Sequence, residues 1–361
     1  GGNDNTASGQ KSFVGGGQTN GATGVHSFIG GGLSNEATND YSVCGGGNAN
    51  DSKGTESAIC GGSYNDATGS QSFVGGGASN TASSSYSFVG GGQTNEAKTN
   101  THAAVVGGQN NDATGQYSFV GGGSNNLASG EKACIAGGVN NQANGEKSVV
   151  SGGQANEAGF RAAVVGGATN LATGSYAFIG GGLNNIANTW NTFVGGGSHN
   201  EAKTNSGATV GGGEYNISSG GNSFVGGGNS NEASGQYSNI LGGNGNKASA
   251  KYTAVLNGPY VEADEISEVA QGGGYIFSGS SKQNQISTLV FATQVASSVG
   301  NIDVANNAFG ETLKSEGSTA AEIEIPVGRS GRVDVTWTCL NGSSAVRSGK
   351  YSFAFSNFLV S

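Results

Sequence analysis

The first 256 residues repeat one short pattern of apolar and polar positions. An adjacent pair of apolar residues, such as Phe13-Val14 or Phe28-Ile29, is followed by glycines, an asparagine and a small residue, after which the pattern starts again. Seventeen copies align on the asparagine; thirteen of the sixteen intervals are 15 residues, and the others are 16, 14 and 16. Self-similarity at a fixed short period is typical of solenoid folds.

Four positions of the repeat hardly vary. The residues four and three places before the asparagine are Gly in all seventeen copies, as in Gly16-Gly17 and Gly31-Gly32. The residue six places before it is Val or Ile in fifteen of the sixteen copies that contain it, and the residue two places after it is Ala in fifteen of seventeen. The aligned asparagines are Asn5, Asn20, Asn35, Asn50, Asn65, Asn80, Asn95, Asn111, Asn126, Asn141, Asn156, Asn170, Asn185, Asn200, Asn216, Asn231 and Asn246.

Each repeat predicts one coil of a parallel β-roll. A strand over 12–15, a glycine bend, a second strand over 20–22 and a variable turn use all 15 residues, which are too few for a helix and its return. The Gly pair suits a sharp bend. The asparagines, for example Asn20, Asn35, Asn65 and Asn80, are interpreted as structural: the amide bonds its own turn, tolerates a left-handed backbone and forms a ladder with the next coil. A ligand site repeated in every coil is the alternative.

The apolar pair itself predicts an oligomer. Phe13 and Val14 are adjacent in a strand and therefore point to opposite faces, yet both positions are apolar in most repeats. One coil column has only one interior, so the simplest arrangement packs the other face against neighbouring chains around a symmetry axis. The length exceptions fall between the Ala and the next strand, which predicts an exposed turn there.

The period fails after residue 250, and a different module is predicted to follow. Residues 1–256 form the repeat domain, 257–271 a transition and 272–361 a second domain. Strands are predicted at 288–291, 321–325, 332–339 and 351–355, with turns at Asn341-Gly342 and Ser348-Gly349. Their alternating pattern favours a small antiparallel β-sandwich.

Composition narrows the possible partners. The chain has 71 Gly but only 2 Pro, which excludes collagen, and its net charge of −9 disfavours nucleic acid or an anionic membrane. No apolar run approaches the roughly 20 residues that cross a bilayer. Basic side chains concentrate only near the predicted C-terminal turns, where they suit an anionic glycan or are simply solvated: Arg329, Arg332, Arg347 and Lys350.

Candidate catalytic chemistry is sparse. The three histidines, His26, His102 and His199, have no acidic or thiol partner at a fixed spacing. Cys44 and Cys134 occupy apolar positions and are expected to be small buried thiols. The carboxylates that follow many of the asparagines form one row of similar groups rather than an unlike catalytic pair. We therefore predict no catalytic residue, no metal site and no cofactor.

The repeat resembles the head repeats of trimeric autotransporter adhesins; residues 67–75 (Ala-Thr-Gly-Ser-Gln-Ser-Phe-Val-Gly) show the resemblance. Similar arrays precede a compact β-module in phage tail-fibre-like proteins. The resemblance covers residues 1–256. It implies a left-handed, homotrimeric β-roll of about seventeen coils. We expect a non-enzymatic extracellular fibre, on a virion or a bacterial surface, whose C-terminal module attaches to a cell-surface receptor such as a glycan. A fibre-borne polysaccharide depolymerase and an ice- or crystal-binding solenoid are the alternatives.

Overall fold

The computed structural model describes residues 1–272 and, beyond them, strands at 285–289, 302–304, 311–315, 321–323, 331–341 and 345–355. The chain divides into two units, Gly1–Val290 and Phe291–Ser361, each of which is described by itself. The first unit is a parallel β-solenoid, as the repeat predicts, with about eighteen coils rather than the seventeen expected. The described residues include no helix that is long and apolar enough to cross a membrane.

Two parallel sheets run along the coil column, and each coil contributes a two-residue strand to each of them. Sheet 1 contains the strands that follow the aligned asparagines: Thr6–Ala7, Gly21–Ala22, Glu36–Ala37, Asp51–Ser52, Asp66–Ala67, Thr81–Ala82, Glu96–Ala97, Asp112–Ala113, Leu127–Ala128, Gln142–Ala143, Glu157–Ala158, Leu171–Ala172, Ile186–Ala187, Glu201–Ala202, Ile217–Ser218, Glu232–Ala233, Lys247–Ala248 and Glu262–Ala263. Equivalent residues of successive coils pair with each other, as Ala22 does with Ala37.

Sheet 2 contains the apolar pairs. Its parallel strands are Phe13–Val14, Phe28–Ile29, Val43–Cys44, Ala58–Ile59, Phe73–Val74, Phe88–Val89, Ala104–Val105, Phe119–Val120, Cys134–Ile135, Val149–Val150, Ala163–Val164, Phe178–Ile179, Phe193–Val194, Thr209–Val210, Phe224–Val225, Asn239–Ile240, Ala254–Val255 and Glu268–Gly272. A third ladder of single parallel bridges joins the residues that follow each Gly pair, from Asn3 with Gln18 to Asn244 with Pro259. Each coil is therefore held to the next along three sides.

The core is a continuous column of small and β-branched side chains. In a typical coil, Asn20, Ala22, Ser27 and Ile29 are buried. Side chains alternate between the two faces of a strand, so one residue of each two-residue strand faces the core and the other faces outward. The interior is narrow, so sheet 1 contributes Ala rather than a larger residue. Where Ser replaces that Ala, its hydroxyl finds a partner: Ser52 Oγ lies 2.8 Å from Ser57 Oγ.

The ladder extends one coil beyond the last aligned asparagine. In this eighteenth coil Val261 takes the asparagine position, Glu262–Ala263 joins sheet 1 and Glu268–Gly272 joins sheet 2. The 257–271 segment, predicted as a transition, is thus built on the coil plan. Strand Gln285–Leu289 then pairs antiparallel with Glu268–Gly272.

The extra residues of the longer coils lie in the predicted turn. Thr99 and Thr204 have left-handed φ values of 75° and 73°, and both lie between the sheet 1 strand and the next sheet 2 strand. Three ladders continue unbroken on either side, so the added residue bulges outward without disturbing the pairing. The prediction that length variation falls in this turn is confirmed.

The second unit contains antiparallel strands. Ile302–Val304, Glu311–Ser315 and Ala321–Ile323 form one sheet, and Gly331–Asn341 pairs with Ala345–Phe355. The last strand runs through Ser348-Gly349, so the turn predicted there is wrong: both residues stay in an eleven-residue ladder. The packing of these sheets as a sandwich stays a prediction.

Candidate functional site

The aligned asparagines form a buried hydrogen-bonded column. The Asn126 amide nitrogen Nδ2 donates to Gly122 O in its own coil and to Gly138 O in the next, both at 2.9 Å. Its Oδ1 accepts the backbone N–H of Asn141 at 3.0 Å. Every backbone N–H of the asparagines from Asn20 to Asn246 donates to the carboxamide of the preceding coil in this way.

This geometry confirms the ladder predicted for Asn20, Asn35, Asn65 and Asn80. Both amide hydrogens and the carbonyl oxygen are used within the protein, which leaves these buried groups nothing to offer a ligand. The left-handed residue, however, is the one before the asparagine, as in Thr19 with φ of 58°. The expectation that the asparagine itself is left-handed is therefore wrong; its amide instead joins successive coils along the column.

The second glycine of each pair is required by the column. Gly17 and Gly32 have φ of 94° and 98°, in the region that side chains rarely adopt. A Cβ on Gly17 would lie 2.7 Å from Asn20 Nδ2 and 2.1 Å from Gly32 O. The first glycines, Gly16 and Gly31, are less confined, since the nearest atoms to their Cβ positions are 3.2 and 3.7 Å away.

Charged side chains lie in a half-buried row on the outer face of sheet 1. Lys53 Nζ is 3.1 Å from Glu36 Oε2 and 2.7 Å from Asp51 Oδ2, and hydrogen bonding to Asp51 raises the pKa of Lys53 to about 12. Burial raises the pKa of the Asp66 carboxyl, and the Asp51 carboxylate adds to the rise. Glu36 and Asp51 share the Lys53 ammonium, whereas Asp66 Oδ1 is buried without a hydrogen-bond partner, so the carboxyls of this row do not all have the same surroundings, contrary to the expectation from the sequence.

A second row follows the left-handed position two residues before the sheet 2 strands, which in most coils holds an aromatic, His, Lys or Arg side chain. His102 stacks between Tyr86 and Tyr117 with ring centroids 4.7 and 4.8 Å apart, and Tyr237 stacks on Tyr252 at 5.2 Å. The histidines thus lie against aromatic rings rather than beside acids or thiols. The described residues contain no group of three or more His, Cys, Asp or Glu side chains placed to hold a metal ion.

An apolar stripe follows the outer face of sheet 2. It comprises, in each coil, the residues seven, five and four places before the asparagine: Phe73, Gly75 and Gly76 in one coil, Ala104, Val106 and Gly107 in another. In this single chain the ring of Phe88 is 39% exposed and Leu241 is 58% exposed. The opposite side of the same strands is buried, apart from the half-buried Val14 in the first strand, so one of the two apolar faces predicted from the sequence is the core.

The cysteines divide between these two faces. Cys44 is buried, and burial raises the pKa of its thiol, as expected of a core residue. Cys134 lies on the stripe and is only half-buried, because its position faces outward where Cys44 faces inward. Cys60, also on the stripe, is exposed. None of the three is in a disulfide.

The basic residues of the C-terminal module are distributed along a hairpin. Arg332 pairs with Ala354 near one end, Lys350 pairs with Thr336 at the middle, and Arg347 pairs with Cys339 towards the other end. Arg329 lies outside the described residues. A role for these four residues in glycan binding stays a prediction.

Concave sites are shallow in the described part of the chain. A depression of about 280 Å³ on sheet 1 is open to solvent and lined by Glu232, Ser234, Lys247, Ser249, Glu262 and Asp264. It continues the charged row just described. No protein-family model matches the chain, and no curated protein matches its sequence.

Proposed function

We propose that the chain is the shaft and tip of a homotrimeric extracellular fibre, borne by a virion or a bacterial surface, which attaches to a glycan receptor. The observation that carries the proposal is the unbroken Asn column and its three ladders, which bond one coil to the next from Asn5 to Val261. A column bonded in this way supports a spacer. Eighteen coils at about 4.7–4.9 Å each give a reach of roughly 85 Å.

The two units have different roles in this fibre. The β-roll, left-handed in this proposal, holds the C-terminal module away from the surface that bears the fibre, and the module's sandwich presents Arg332, Arg347 and Lys350 to an anionic glycan. Cationic side chains on an otherwise acidic chain favour such a ligand over a nucleic acid, since the repeat domain would repel a long polyanion. The fibre acts by binding and takes no cofactor.

Binding of the full chain to a glycan array tests this function. We expect retention of acidic glycans, lost in a variant with Arg329, Arg332, Arg347 and Lys350 all changed to Ala. The matched control changes four shaft cations, Lys53, Lys98, Lys132 and Lys203, to Ala and should bind as the wild type does. Equal binding by both variants would place recognition elsewhere.

Two further measurements separate the alternatives. Release of reducing ends from a bound polysaccharide would identify a depolymerase, and thermal hysteresis in freezing buffer would identify an ice-binding solenoid. We expect neither. The outer rows of the coils mix Gln, Asn, Ser, Thr and charged residues at equivalent positions, whereas ice binding needs one residue type at fixed register.

A further inference from the structure

Three aromatic side chains from successive coils form an exposed cluster at the turn between the sheet 1 and sheet 2 strands. Phe160, Tyr176 and Trp190 are 38%, 44% and 54% exposed. Tyr176 meets the other two rings with centroids 6.0 and 6.5 Å away and ring planes at 87° and 81°. At the same turn of other coils the rings lie nearly parallel, as Tyr237 and Tyr252 do at 4°. A parallel stack covers the faces of its rings, whereas edge contacts leave faces open.

The backbone hydrogen bonds of this turn place Trp190 beside small residues. Trp190 O accepts the N–H of Gly207 at 3.0 Å, so Gly207 takes the left-handed position of the next coil. Ser206 O accepts the N–H of Asn222 at 2.9 Å in the same way. The position equivalent to Trp190 therefore holds Ser206 in the next coil and Gly221 in the one after. No large side chain adjoins the indole at these positions of the turn.

Two exposed carboxamides border this space. Asn191 directly follows Trp190, and Asn222 lies two coils on in the same left-handed row. A Cβ on Gly207 would overlap Asn222 Oδ1, so this amide reaches back over Gly207, one coil closer to Trp190. Within residues 1–272 neither carboxamide has a hydrogen-bond partner. Two coils correspond to roughly 10 Å along the column, which is enough for one sugar ring between the two amides.

The nearby charge is already paired on the other side of the cluster. Arg161, one coil before Tyr176, donates to the Tyr176 hydroxyl at 2.7 Å and lies 3.5 Å from Glu146 Oε1. Its guanidinium carbon is 4.9 Å from the centre of the Phe160 ring. The residues that border the space beside Trp190 are themselves uncharged. These surroundings suit a neutral ligand better than an acidic one, because the cation is engaged within the protein.

We propose that the space beside Trp190 binds one sugar unit of a neutral glycan. A pyranose ring has a face of C–H groups and a rim of hydroxyls. The C–H face stacks on the electron-rich face of the indole, and the hydroxyls bond to the carboxamides of Asn191 and Asn222. This site lies on the repeat domain and does not depend on the acidic-glycan function proposed for the C-terminal module.

The size of the cluster favours a sugar over a protein partner. Its three rings together expose roughly 300 Å², well below the about 800 Å² that each side of a stable protein interface covers. A single stacked sugar requires much less area. It binds with a dissociation constant on the order of 1 mM, so a surface that displays the glycan densely is the suitable probe.

The test applies the full chain and three variants to an array that displays neutral and acidic glycans at high density. We expect the wild type to retain neutral glycans, and Trp190→Ala to lower this retention at least about 10-fold, because the stacking platform is lost. Asn191→Ala with Asn222→Ala should also lower it. Tyr237→Ala, which removes an exposed ring from a parallel stack at the same turn, is the control and should bind as the wild type does. Acidic glycans should be retained equally by all four proteins.

Failure of the wild type to retain any neutral glycan overturns the proposal, and so does equal neutral binding by Trp190→Ala. Ser206→Arg is an independent check, since it fills the space with a long side chain and leaves Trp190 in place; unchanged neutral binding there rejects the site, even if Trp190→Ala does not fold. Far-UV circular dichroism verifies the fold of each variant. A chain that retains neutral but no acidic glycans keeps this site and loses the receptor function proposed for the C-terminal module.

Discussion

At the scale of single residues, the asparagine is what makes the coil repeat possible. Each carboxamide donates to two carbonyls and accepts one N–H; for Asn126, the Gly122 carbonyl and the Asn141 N–H have no backbone partner, whereas Gly138 O also accepts the Ser124 N–H at 2.9 Å. An unpaired buried backbone group costs about 1–3 kcal/mol, so these bonds prevent a penalty that would recur in every coil. Gln, with one more methylene, does not fit between carbonyls that are 2.9 Å from the nitrogen on both sides.

Asn126→Ala should lower the free energy of unfolding by at least about 2 kcal/mol, because Gly122 O and the Asn141 N–H lose their partner, while Gly138 O keeps the Ser124 N–H. Urea denaturation followed by circular dichroism measures this. Gln109→Ala, an exposed substitution two residues before the neighbouring asparagine, is the control and should change stability by no more than about 0.5 kcal/mol. Equal effects would show that the column contributes little.

Asp66→Asn should stabilise the protein at neutral pH. The folded pKa of Asp66 is raised above 3.8, so ionisation penalises the folded state; the penalty is fully present above the folded pKa and vanishes as the pH falls below 3.8. The melting temperature of the variant should exceed that of the wild type at pH 7 and match it near pH 3. Thr81→Asn, at the paired position one coil on, controls for the amide and should show no such pH dependence.

At the scale of the coil, the three ladders fix the length of some segments and leave another free. The segment between the sheet 1 strand and the left-handed residue before sheet 2 lengthens at Thr99 and Thr204. The glycine bend never changes length among the seventeen copies, because the Asn side chain spans it.

Deletion of Thr204 should therefore be tolerated, with a change in the free energy of unfolding below about 1 kcal/mol, since it restores the common 15-residue coil. Deletion of Gly212 should cost several times more, because the amide of Asn216 would no longer reach the carbonyl to which it donates at 2.9 Å. Thermal unfolding of the two deletion variants is the comparison. Similar losses would mean that the bend is not held by the asparagine.

Periodicity in the sequence was sufficient to predict the coil, the sheet positions and the Asn ladder. It could not show the eighteenth coil, where Val261 donates its N–H to Asn246 Oδ1 at 2.8 Å without an amide of its own. It also could not identify the two left-handed rows, since Tyr and Lys at those positions are unusual for positive φ and gave no turn signal.

At the scale of the whole molecule, stability is a sum over near-identical coils and their contacts. Removing two complete coils, residues 112–141, joins Asn111 to Gln142 in the correct phase. We expect this variant to fold and its maximum dimension, measured by small-angle scattering, to fall by about 10 Å. Removing one and a half coils from the same starting point breaks the phase and should prevent folding of the adjoining coils; a folded product would argue against the three-ladder register.

The Asn column also allows the number of coils to change by recombination within the gene. Each coil presents to its upper neighbour the same carboxamide oxygen that it receives from its lower one, so any coil can be copied beside itself without a change elsewhere. Recombination between repeats of the gene would then lengthen or shorten the column by whole coils and leave the C-terminal module intact. Related strains should accordingly differ in the number of coils far more readily than in the residues that form one.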